Sequence, residues 1–236
     1  MVFTSYYSSW DELERAIRNC TRCPLHSYRK NAVPGEGSKE SKIMFIGEAP
    51  GATEDEMGRP FVGVAGKLLT LALESAGLKR ETVYITNVVK CRPPQNREPN
   101  DYEIESCRIY LESQILLLRP KIIITLGNIA GRTVFSLGKK PWSGVMRMRG
   151  RVYELKILGL DIRVLATLHP AAALYNPSLR DMLFNDLKKL KELLESMEKT
   201  LLEEPRQRVV EQASVKDREE KKSKRTIIDY IKRNSP

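Results

Sequence analysis

The chain has 236 residues, a formal net charge of +10 and a sequence pI of about 9.4. The length suits one α/β domain with an appendage, and the charge favours a polyanionic partner, nucleic acid before a membrane surface. The first ten residues lack the basic and apolar segments of a signal peptide, and no apolar run approaches the roughly 20 residues of a membrane span. We therefore expect a cytoplasmic protein without membrane segments. Its charged fraction of 30% is compatible with a thermophilic source.

The amino-terminal segment predicts a helix that leads into a cysteine-containing turn. Ser9 and Glu12 have the spacing of a capping box at the start of this helix. Apolar residues then recur every three or four positions from Trp10 to Cys20, so we expect Cys20 to face inward at the helix end. Cys23 precedes a proline and is expected in the following turn.

Strands alternate with helices through the rest of the chain. This order predicts a three-layer α/β/α sandwich around a central, mostly parallel, four-stranded sheet. In such sheets ligands collect beyond the carboxyl ends of the strands. The predicted strands are 42–49, 83–90, 121–126 and 163–168, with a further edge strand or hairpin at 152–158, and the predicted helices are 64–76, the segment that Asn100 caps with Glu103, and 178–204.

The carboxyl-terminal region differs from the rest in composition. Residues 205–236 are rich in Lys, Arg and Glu, with no aromatic residue before Tyr230. We predict a domain over 1–204 and a basic, flexible tail over 205–236. Residues 224–231 resemble a degenerate sliding-clamp binding motif. A solvated tail that is attracted to DNA is the alternative.

The chain contains four cysteines, in a C-x2-C pair followed much later by a C-x15-C pair. A set of four that opens with C-x2-C is typical of one shared metal centre, either an iron–sulfur cluster or a structural zinc. The wide second pair and the proline after the first pair favour a cluster. Reduced buried cysteines and two disulfides are the alternatives. The four are Cys20, Cys23, Cys91 and Cys107.

The segment after the first strand, Gly47-Glu48-Ala49-Pro50-Gly51, carries two glycines that let the backbone approach a ligand, and further carboxylates follow it from Glu54. A phosphate loop is the obvious alternative. However, G-x-G-x-x-G is absent, and Lys67 of GVAGKLL is followed by leucine rather than Ser or Thr.

Three further residues are candidates for ligand contacts. Phe61 is either a core aromatic or a loop aromatic that stacks on a planar ligand. Asn87 interrupts an apolar run, so its amide either secures a loop or reads the edge of a pyrimidine. His169 directly follows a strand, and is either structural or a donor to a ligand oxygen on which negative charge develops.

These segments together resemble the family 4 uracil-DNA glycosylases, the iron–sulfur type of archaea and thermophilic bacteria. The resemblance lies in CTRCP, GEAPGATEDEMGRPFVG, TNVVKCRPP and TLHPAAALYNP, together with Cys107, and spans about residues 13–180. It implies a monomeric base-excision repair enzyme that flips uracil out of DNA and hydrolyses its N-glycosidic bond. The alternative is a protein of the same superfamily that binds uracil-DNA, or forms a covalent adduct with it, without turnover. The covalent branch carries an additional histidine in an inserted loop, and this chain has none between His26 and His169.

The resemblance also implies roles for single residues. The four cysteines would ligate a [4Fe–4S] cluster that joins the amino-terminal helix to the 91–107 segment. Ala49 occupies the position of a catalytic aspartate in other glycosylases, so Glu48 and backbone near Ala49 would hold the attacking water. Ala49 and Gly51 belong to the family's substrate-binding first motif. Glu54 would exclude the methyl group of thymine.

The remaining implied roles concern the base and the duplex. Phe61 would stack on uracil, Asn87 would read its polar edge, and His169 would donate to its O2 oxygen. Leu174, in the loop after the histidine, would push into the duplex where the base has left. Tyr175 stands where family members often carry arginine.

Overall fold

The computed structural model describes residues 6–194, and the compact unit that contains the sheet ends at Leu190. The expected domain border at 204, the tail 205–236 and the clamp-like motif at 224–231 lie outside the described residues. None of the helices within the described range has the length and apolar character needed to cross a bilayer.

Six strands form one sheet in the order β1-β3-β2-β4-β6-β5. The four inner strands are parallel, which confirms the predicted parallel sheet, and the two outer strands pair antiparallel with their neighbours. The predicted edge strand at 152–158 is confirmed as β5, whereas β1 was not predicted. The strands are β1 Glu36–Gly37, β2 Ile43–Gly47, β3 Tyr84–Asn87, β4 Ile122–Leu126, β5 Val152–Ile157 and β6 Leu160–Thr167.

The register of the parallel strands brings their carboxyl ends to one edge of the sheet. Gly47 pairs with Asn87 at the ends of β2 and β3, and Leu126 pairs with Thr167 at the ends of β4 and β6. The loops that carry the predicted ligand-binding residues therefore leave the sheet side by side.

Helices cover both faces of the sheet, as predicted. One core cluster joins Met44 and Ile46 of β2 to apolar residues of α1, α4 and α5. On the opposite face, Thr167 of β6 donates a hydrogen bond to Asp186 of a helix that spans 177–194. The other helices are α1 Trp10–Arg18, α2 Ala52–Met57, α3 Val64–Ser75, α4 Asp101–Leu118, α5 Asn128–Leu137 and α6 Val145–Met148.

The predicted helix starts are confirmed, with one difference in detail. Ser9 caps α1 by accepting from the Glu12 N–H, but the Glu12 carboxylate accepts from Ser8 instead of closing the box on Ser9. On α4, Asn100 and Glu103 form both halves of the box. Helix α1 ends at Arg18, so Cys20 lies just beyond the helix rather than in its last turn.

Candidate active site and cysteine centre

A cavity of about 310 Å³ opens at the carboxyl edge of the sheet. The loops after β2, β3 and β6 form it, because the strand register places these loops next to one another. Every residue predicted to contact substrate or water lines this cavity: Glu48, Ala49, Gly51, Glu54, Phe61, Asn87 and His169. Residues that the sequence did not single out also line it, among them Ala65, Asn96 and Arg97.

The Phe61 ring forms one wall of the cavity and is only 7% exposed. Its backbone has a φ of 50°, in the left-handed region that L residues adopt at a cost. Two glycines make room for this conformation: a Cβ at Gly47 would collide with the ring, and a Cβ at Gly66 would collide with the Phe61 carbonyl. The phenyl ring lies with its centroid 5.7 Å from that of His169. Phe61 is therefore both buried and turned toward the cavity.

Asn87 ends β3 and is 1% exposed. Its side-chain oxygen has no hydrogen-bond partner among residues 6–194. The Asn87 side-chain oxygen therefore does not secure a loop within this range. A buried, unpaired oxygen costs about 1–3 kcal/mol of folding free energy. Such an atom beside a cavity is suited to accept a hydrogen bond from a ligand.

The His169 ring is held as a neutral imidazole. Its Nδ1 atom lies 3.2 Å from the Ala171 nitrogen. A backbone N–H can only donate, so Nδ1 accepts and the ring proton lies on Nε2. Burial lowers the pKa of His169 to about 4, against the opposing attraction of Glu54. At neutral pH the ring is therefore an uncharged donor through Nε2.

Glu54 uses its carboxylate to fix the backbone around the cavity. It accepts from the N–H groups of Gly51 at 3.2 Å, Val62 at 2.9 Å and Gly63 at 2.8 Å. These bonds close the amino terminus of α2 and hold the segment that leads into α3. The sequence placed Glu54 at the cavity, but gave no sign that its oxygens would be turned toward backbone donors.

Glu48 is the cavity carboxylate without such partners. Its side chain is half-buried, and burial, followed by the charge of Glu98, raises its pKa. The neighbouring Ala49 has no polar side-chain group, so Glu48 is the acidic side chain that the first motif offers to a water molecule beside the cavity. The backbone carbonyl of Glu48 accepts from the Val89 N–H, which ties this motif to the chain after β3.

The four predicted ligands come together around one small second cavity: Cys20, Cys23, Cys91 and Cys107. All four are free thiols in the structure, and Cys107 faces inward from α4 as predicted. Within residues 6–194, no three potential ligands are spaced to hold a single metal ion. The sulfur atoms therefore share a cavity without the tight spacing of a mononuclear site.

Hydrogen-bond donors surround these sulfur atoms. Arg29 donates from Nη1 to Cys91 Sγ at 3.0 Å, and the Lys90 N–H donates to Cys107 Sγ at 3.3 Å. Burial raises the pKa of Cys107 to about 12 and also raises that of Cys23 and Cys91. Metal binding removes the protons of ligating thiols. Donors aimed at sulfur fit a set of metal-bound thiolates.

Lys90 is a buried residue beside the cysteines that the sequence did not single out. The 83–90 segment was predicted as one strand, but β3 stops at Asn87. Val88 and Val89 instead donate to the carbonyls of Gly47 and Glu48. Lys90 then lies fully inside the protein, and burial lowers its pKa to about 8. A lysine that ends an apolar run directly before a cysteine was the available signal.

The loop after His169 presents a different side chain from the one predicted. Leu174, the predicted wedge, is half-buried. The next residue, Tyr175, is 91% exposed. Neither lines the cavity, which on this side ends at Ala171. The most prominent apolar group of this loop is therefore the tyrosine ring.

The family model of the uracil DNA glycosylase superfamily matches residues 34–197. A type-4 uracil-DNA glycosylase of Saccharolobus solfataricus is 52% identical over 192 residues, which cover 81% of this chain and 89% of that protein. Its counterpart in Archaeoglobus fulgidus is 47% identical over 195 residues, or 83% of this chain and 98% of that protein. A type-5 uracil-DNA glycosylase of Pyrobaculum aerophilum is 31% identical over 159 residues, or 54% of this chain and 70% of that protein. The range of the family model contains every cavity residue but begins after Cys20 and Cys23.

Proposed function

The chain belongs to the uracil-DNA glycosylase superfamily, and we propose that it removes uracil from DNA by hydrolysing the bond between base and deoxyribose. The observation that carries this proposal is the unpaired, buried side-chain oxygen of Asn87, which lies beside a cavity walled by Phe61 and His169. Uracil is a planar base that can stack on Phe61. Its edge has an N–H for the Asn87 oxygen and a carbonyl oxygen for the His169 donor.

Uracil inside a stacked duplex is out of reach, so the base must be flipped into the cavity, at a cost of a few kcal/mol. The cavity of about 310 Å³ lies at the small end of the range for ligand sites. Phe61 offers a face for stacking, which is worth about 1–3 kcal/mol per base. Asn87 then accepts from N3–H and donates to O4.

This pairing gives the site its preference for uracil over cytosine. Cytosine has no proton on N3 and carries an amino group in place of O4, so it would oppose acceptor to acceptor and donor to donor at Asn87. A site built around hydrogen bonds rejects such a mismatch strongly, because its buried polar atoms are left unpaired.

Cleavage of the glycosidic bond leaves the bonding electron pair on the base and a cationic character on the sugar. His169 donates from Nε2 to the O2 oxygen, where negative charge develops. One preorganised donor of this kind is worth about 2.7–4 kcal/mol of transition-state stabilisation. Water adds to C1′, and Glu48 is the carboxylate placed to orient it and accept its proton.

Glu54 and the loop after His169 complete the site. Because Glu54 binds the N–H groups of Gly51, Val62 and Gly63, it fixes the wall that we propose excludes the C5 methyl of thymine. Ala49 and Gly51 contribute backbone to the same wall. Leu174 keeps its proposed role as the wedge in the duplex, with the exposed Tyr175 ring beside it.

The cysteine centre would hold a [4Fe–4S] cluster through Cys20, Cys23, Cys91 and Cys107. When bound, the cluster supplies a covalent junction between the segment after α1, the segment after β3, and α4. The protein contributes donors to three of the sulfur atoms, from Arg22, Arg29 and Lys90. This arrangement gives the cluster a structural role, and no step of the reaction described above passes through it.

Exposed Lys and Arg residues near the cavity can bind the phosphates of the DNA backbone. Residues 113–153 contain no Asp or Glu but carry eight Lys and Arg residues, of which Lys139, Lys140, Arg147 and Arg151 are exposed. The middle of this basic segment lies close to the site, since Val145 donates to Asn128, and a Cβ at the adjacent Gly127 would touch His169. Phosphates bound along it would keep the flipped nucleotide near the cavity.

The test uses a duplex with one uracil and matched duplexes with thymine or cytosine at the same position. The proposal predicts several turnovers on the uracil duplex, with release of free uracil and an alkali-labile site. A protein that binds the uracil duplex but releases no base, or stops after one covalent turnover, would be the binding member of the superfamily instead.

A further inference from the structure

Lys90 is a buried cation that lies between the base cavity and the cysteine centre. Its side chain is 1% exposed. The ammonium donates to the Thr86 hydroxyl at 2.8 Å, to the Gln114 side-chain carbonyl at 2.7 Å and to the backbone carbonyl of Asn87. All of these partners are neutral, and no carboxylate among residues 6–194 pairs with it. A buried charge carries a large desolvation penalty that neutral partners only partly offset.

The compensating charge is available on the cysteine side. Lys90 lines the cavity that the four cysteines share, it precedes Cys91, and its own N–H binds Cys107 Sγ. Metal binding converts the thiols to thiolates. Four thiolates outweigh the two positive charges of a zinc ion or a [4Fe–4S] core, so the loaded centre is an anion. Arg29 donates to Cys91 Sγ from one side, and Lys90 is the buried cation among the residues that line the cysteine cavity.

The Lys90 ammonium also contacts Asn87, the residue that we propose recognises the base. The Asn87 side-chain oxygen has no hydrogen-bond partner among residues 6–194, so its position depends on the Asn87 backbone. That backbone lies at the last residue of β3, and its carbonyl is bound by the Lys90 ammonium. Lys90 therefore holds Asn87 from behind the cavity.

We propose that Lys90 is a positioning residue: the negative charge of the loaded cysteine centre keeps its ammonium buried, and the ammonium fixes the Asn87 backbone for base recognition. The occupied centre and the base cavity are then coupled through one side chain. The second half of this inference rests on the proposed function. The first half concerns the metal centre and is tested separately.

The rival role for Lys90 is a purely structural one, as a member of the buried polar network with Thr86 and Gln114. A suitable control disturbs that network without touching the charge. Tyr84→Phe removes the hydroxyl to which Gln114 Nε2 donates at 3.0 Å and leaves every Lys90 bond in place. Loss of network stability alone would appear in Tyr84→Phe as well as in a Lys90 variant.

The experiment compares the metal-loaded wild-type protein, Lys90→Met and Tyr84→Phe. Methionine has a similar length but no charge and no donor. One readout is the rate at which excess chelator removes the metal, and the other is the Kd for free uracil. We expect Lys90→Met to lose metal about tenfold faster and to bind uracil about tenfold more weakly, within the range of typical coupling between sites. Tyr84→Phe is expected to stay within about twofold of wild type in both, well below typical coupling between sites, because it leaves the ammonium and its three hydrogen bonds in place.

A double-mutant cycle tests whether Lys90 acts through Asn87. The Lys90→Met effect on kcat should shrink to less than about twofold in an Asn87→Ala background, because the residue that it positions has lost its function. An undiminished effect in that background would contradict positioning through Asn87.

If Lys90→Met does not fold, Thr86→Val replaces it, since this variant removes one acceptor of the ammonium and keeps its charge. Smaller shifts in the same direction are then expected. Wild-type metal retention and uracil affinity in folded Lys90→Met, or in Thr86→Val in its place, would overturn the proposal. A wild-type protein that excises no uracil would instead refute the proposed function, and the metal-loss rates would still decide the link to the centre.

Discussion

The base cavity and the cysteine centre lie at opposite ends of the short segment 87–91, and they treat charge in opposite ways. Around the cavity, Asn87 is an unpaired neutral amide and His169 is a neutral donor. Around the cysteines, the Arg29 guanidinium donates to Cys91 Sγ, and Lys90, a buried cation, lines the same cavity and donates its backbone N–H to Cys107 Sγ. The cavity is thus suited to a neutral base that becomes charged only during the reaction, whereas the centre is suited to a permanent anion.

Among the changes that test this comparison, the loss of the His169 side chain is expected to have the largest effect on activity. In His169→Ala, kcat should fall by about 10²–10³, the cost of removing one preorganised donor, while the thermal midpoint stays close to that of the wild type. Single-turnover kinetics and a thermal melt check the two halves. Wild-type turnover in this variant would refute the assignment of His169 as the donor to the leaving base.

Loss of the Asn87 side chain should be next in size. Asn87→Ala is expected to lower kcat/KM for uracil by about 100-fold, equivalent to about 2.7 kcal/mol, since it removes both hydrogen bonds to the base. Unlike most core truncations, it should cost little stability, because the deleted oxygen has no hydrogen-bond partner within the described range 6–194. Steady-state kinetics and denaturant unfolding measure these quantities. A large loss of stability with unchanged kcat/KM would mean that the amide is a structural group after all.

At the other end of the segment, Cys107→Ser should affect metal and stability before chemistry. We expect loss of the brown colour that a [4Fe–4S] cluster gives a protein. We also expect a lower thermal midpoint and weaker DNA binding, because the segment after β3 loses its junction with α4. Metal analysis and a thermal melt on the purified variant provide the measurement. Full colour and wild-type stability in Cys107→Ser would show that it is not a ligand.

The pH dependence separates the two acid–base groups of the cavity. The pKa of Glu48 is raised by burial, so its carboxylate should take up a proton, and activity should fall, at a higher pH than for an exposed glutamate. The pKa of His169 is lowered to about 4, so no limb of the profile is expected near the ordinary histidine value of about 6.5. The profile of kcat/KM in wild type and Glu48→Gln tests this. An acid limb that persists unchanged in Glu48→Gln would assign it to another group.

The same shift of His169 predicts a stability effect. The unfolded chain takes up this proton near pH 6.5 and the folded chain only near pH 4, so the unfolded state binds more protons between these values. Stability should therefore fall as the pH drops from about 6.5 toward 4, and the fall should be smaller in His169→Ala. Denaturant unfolding at several pH values would measure it, and an equal fall in both proteins would contradict it.

The smallest expected effects lie in the loop after His169. Leu174 is half-buried and Tyr175 is exposed, so alanine at each position tests which side chain supports the flipped state. We expect each change to reduce the rate on double-stranded DNA several-fold, by about 1 kcal/mol, and to have less effect on single strands, where no partner base must be replaced. An equal loss of rate on double-stranded and single-stranded DNA would contradict the proposed role of Leu174 as a wedge in the duplex.

Much of this architecture could be predicted because parallel strands buried on both faces leave continuous apolar runs in the sequence. The inner strands were found for that reason, and the Asn100 cap was found from its spacing to Glu103. Strand β1 was missed because two residues, Glu36–Gly37, carry no periodicity. The extent of β3 was overestimated because Val88 and Val89 look like strand residues, yet they bond to the loop after β2.

The residues of the site likewise divide into those that the sequence could predict and those that it could not. Side chains next to strand ends were predicted together because the topology brings those ends to one edge. The partners of Glu54 and the exposure of Tyr175 depend on how distant segments pack, and no local pattern encodes them.

The most direct measurement is excision from a labelled oligonucleotide with one uracil, beside a matched thymine control, followed by alkali to cut abasic sites. The account predicts repeated cleavage at uracil alone by a brown protein. A brown protein that binds this DNA and leaves uracil in place would contradict it, and the roles of Asn87 and His169 would then be those of a binding site without catalysis.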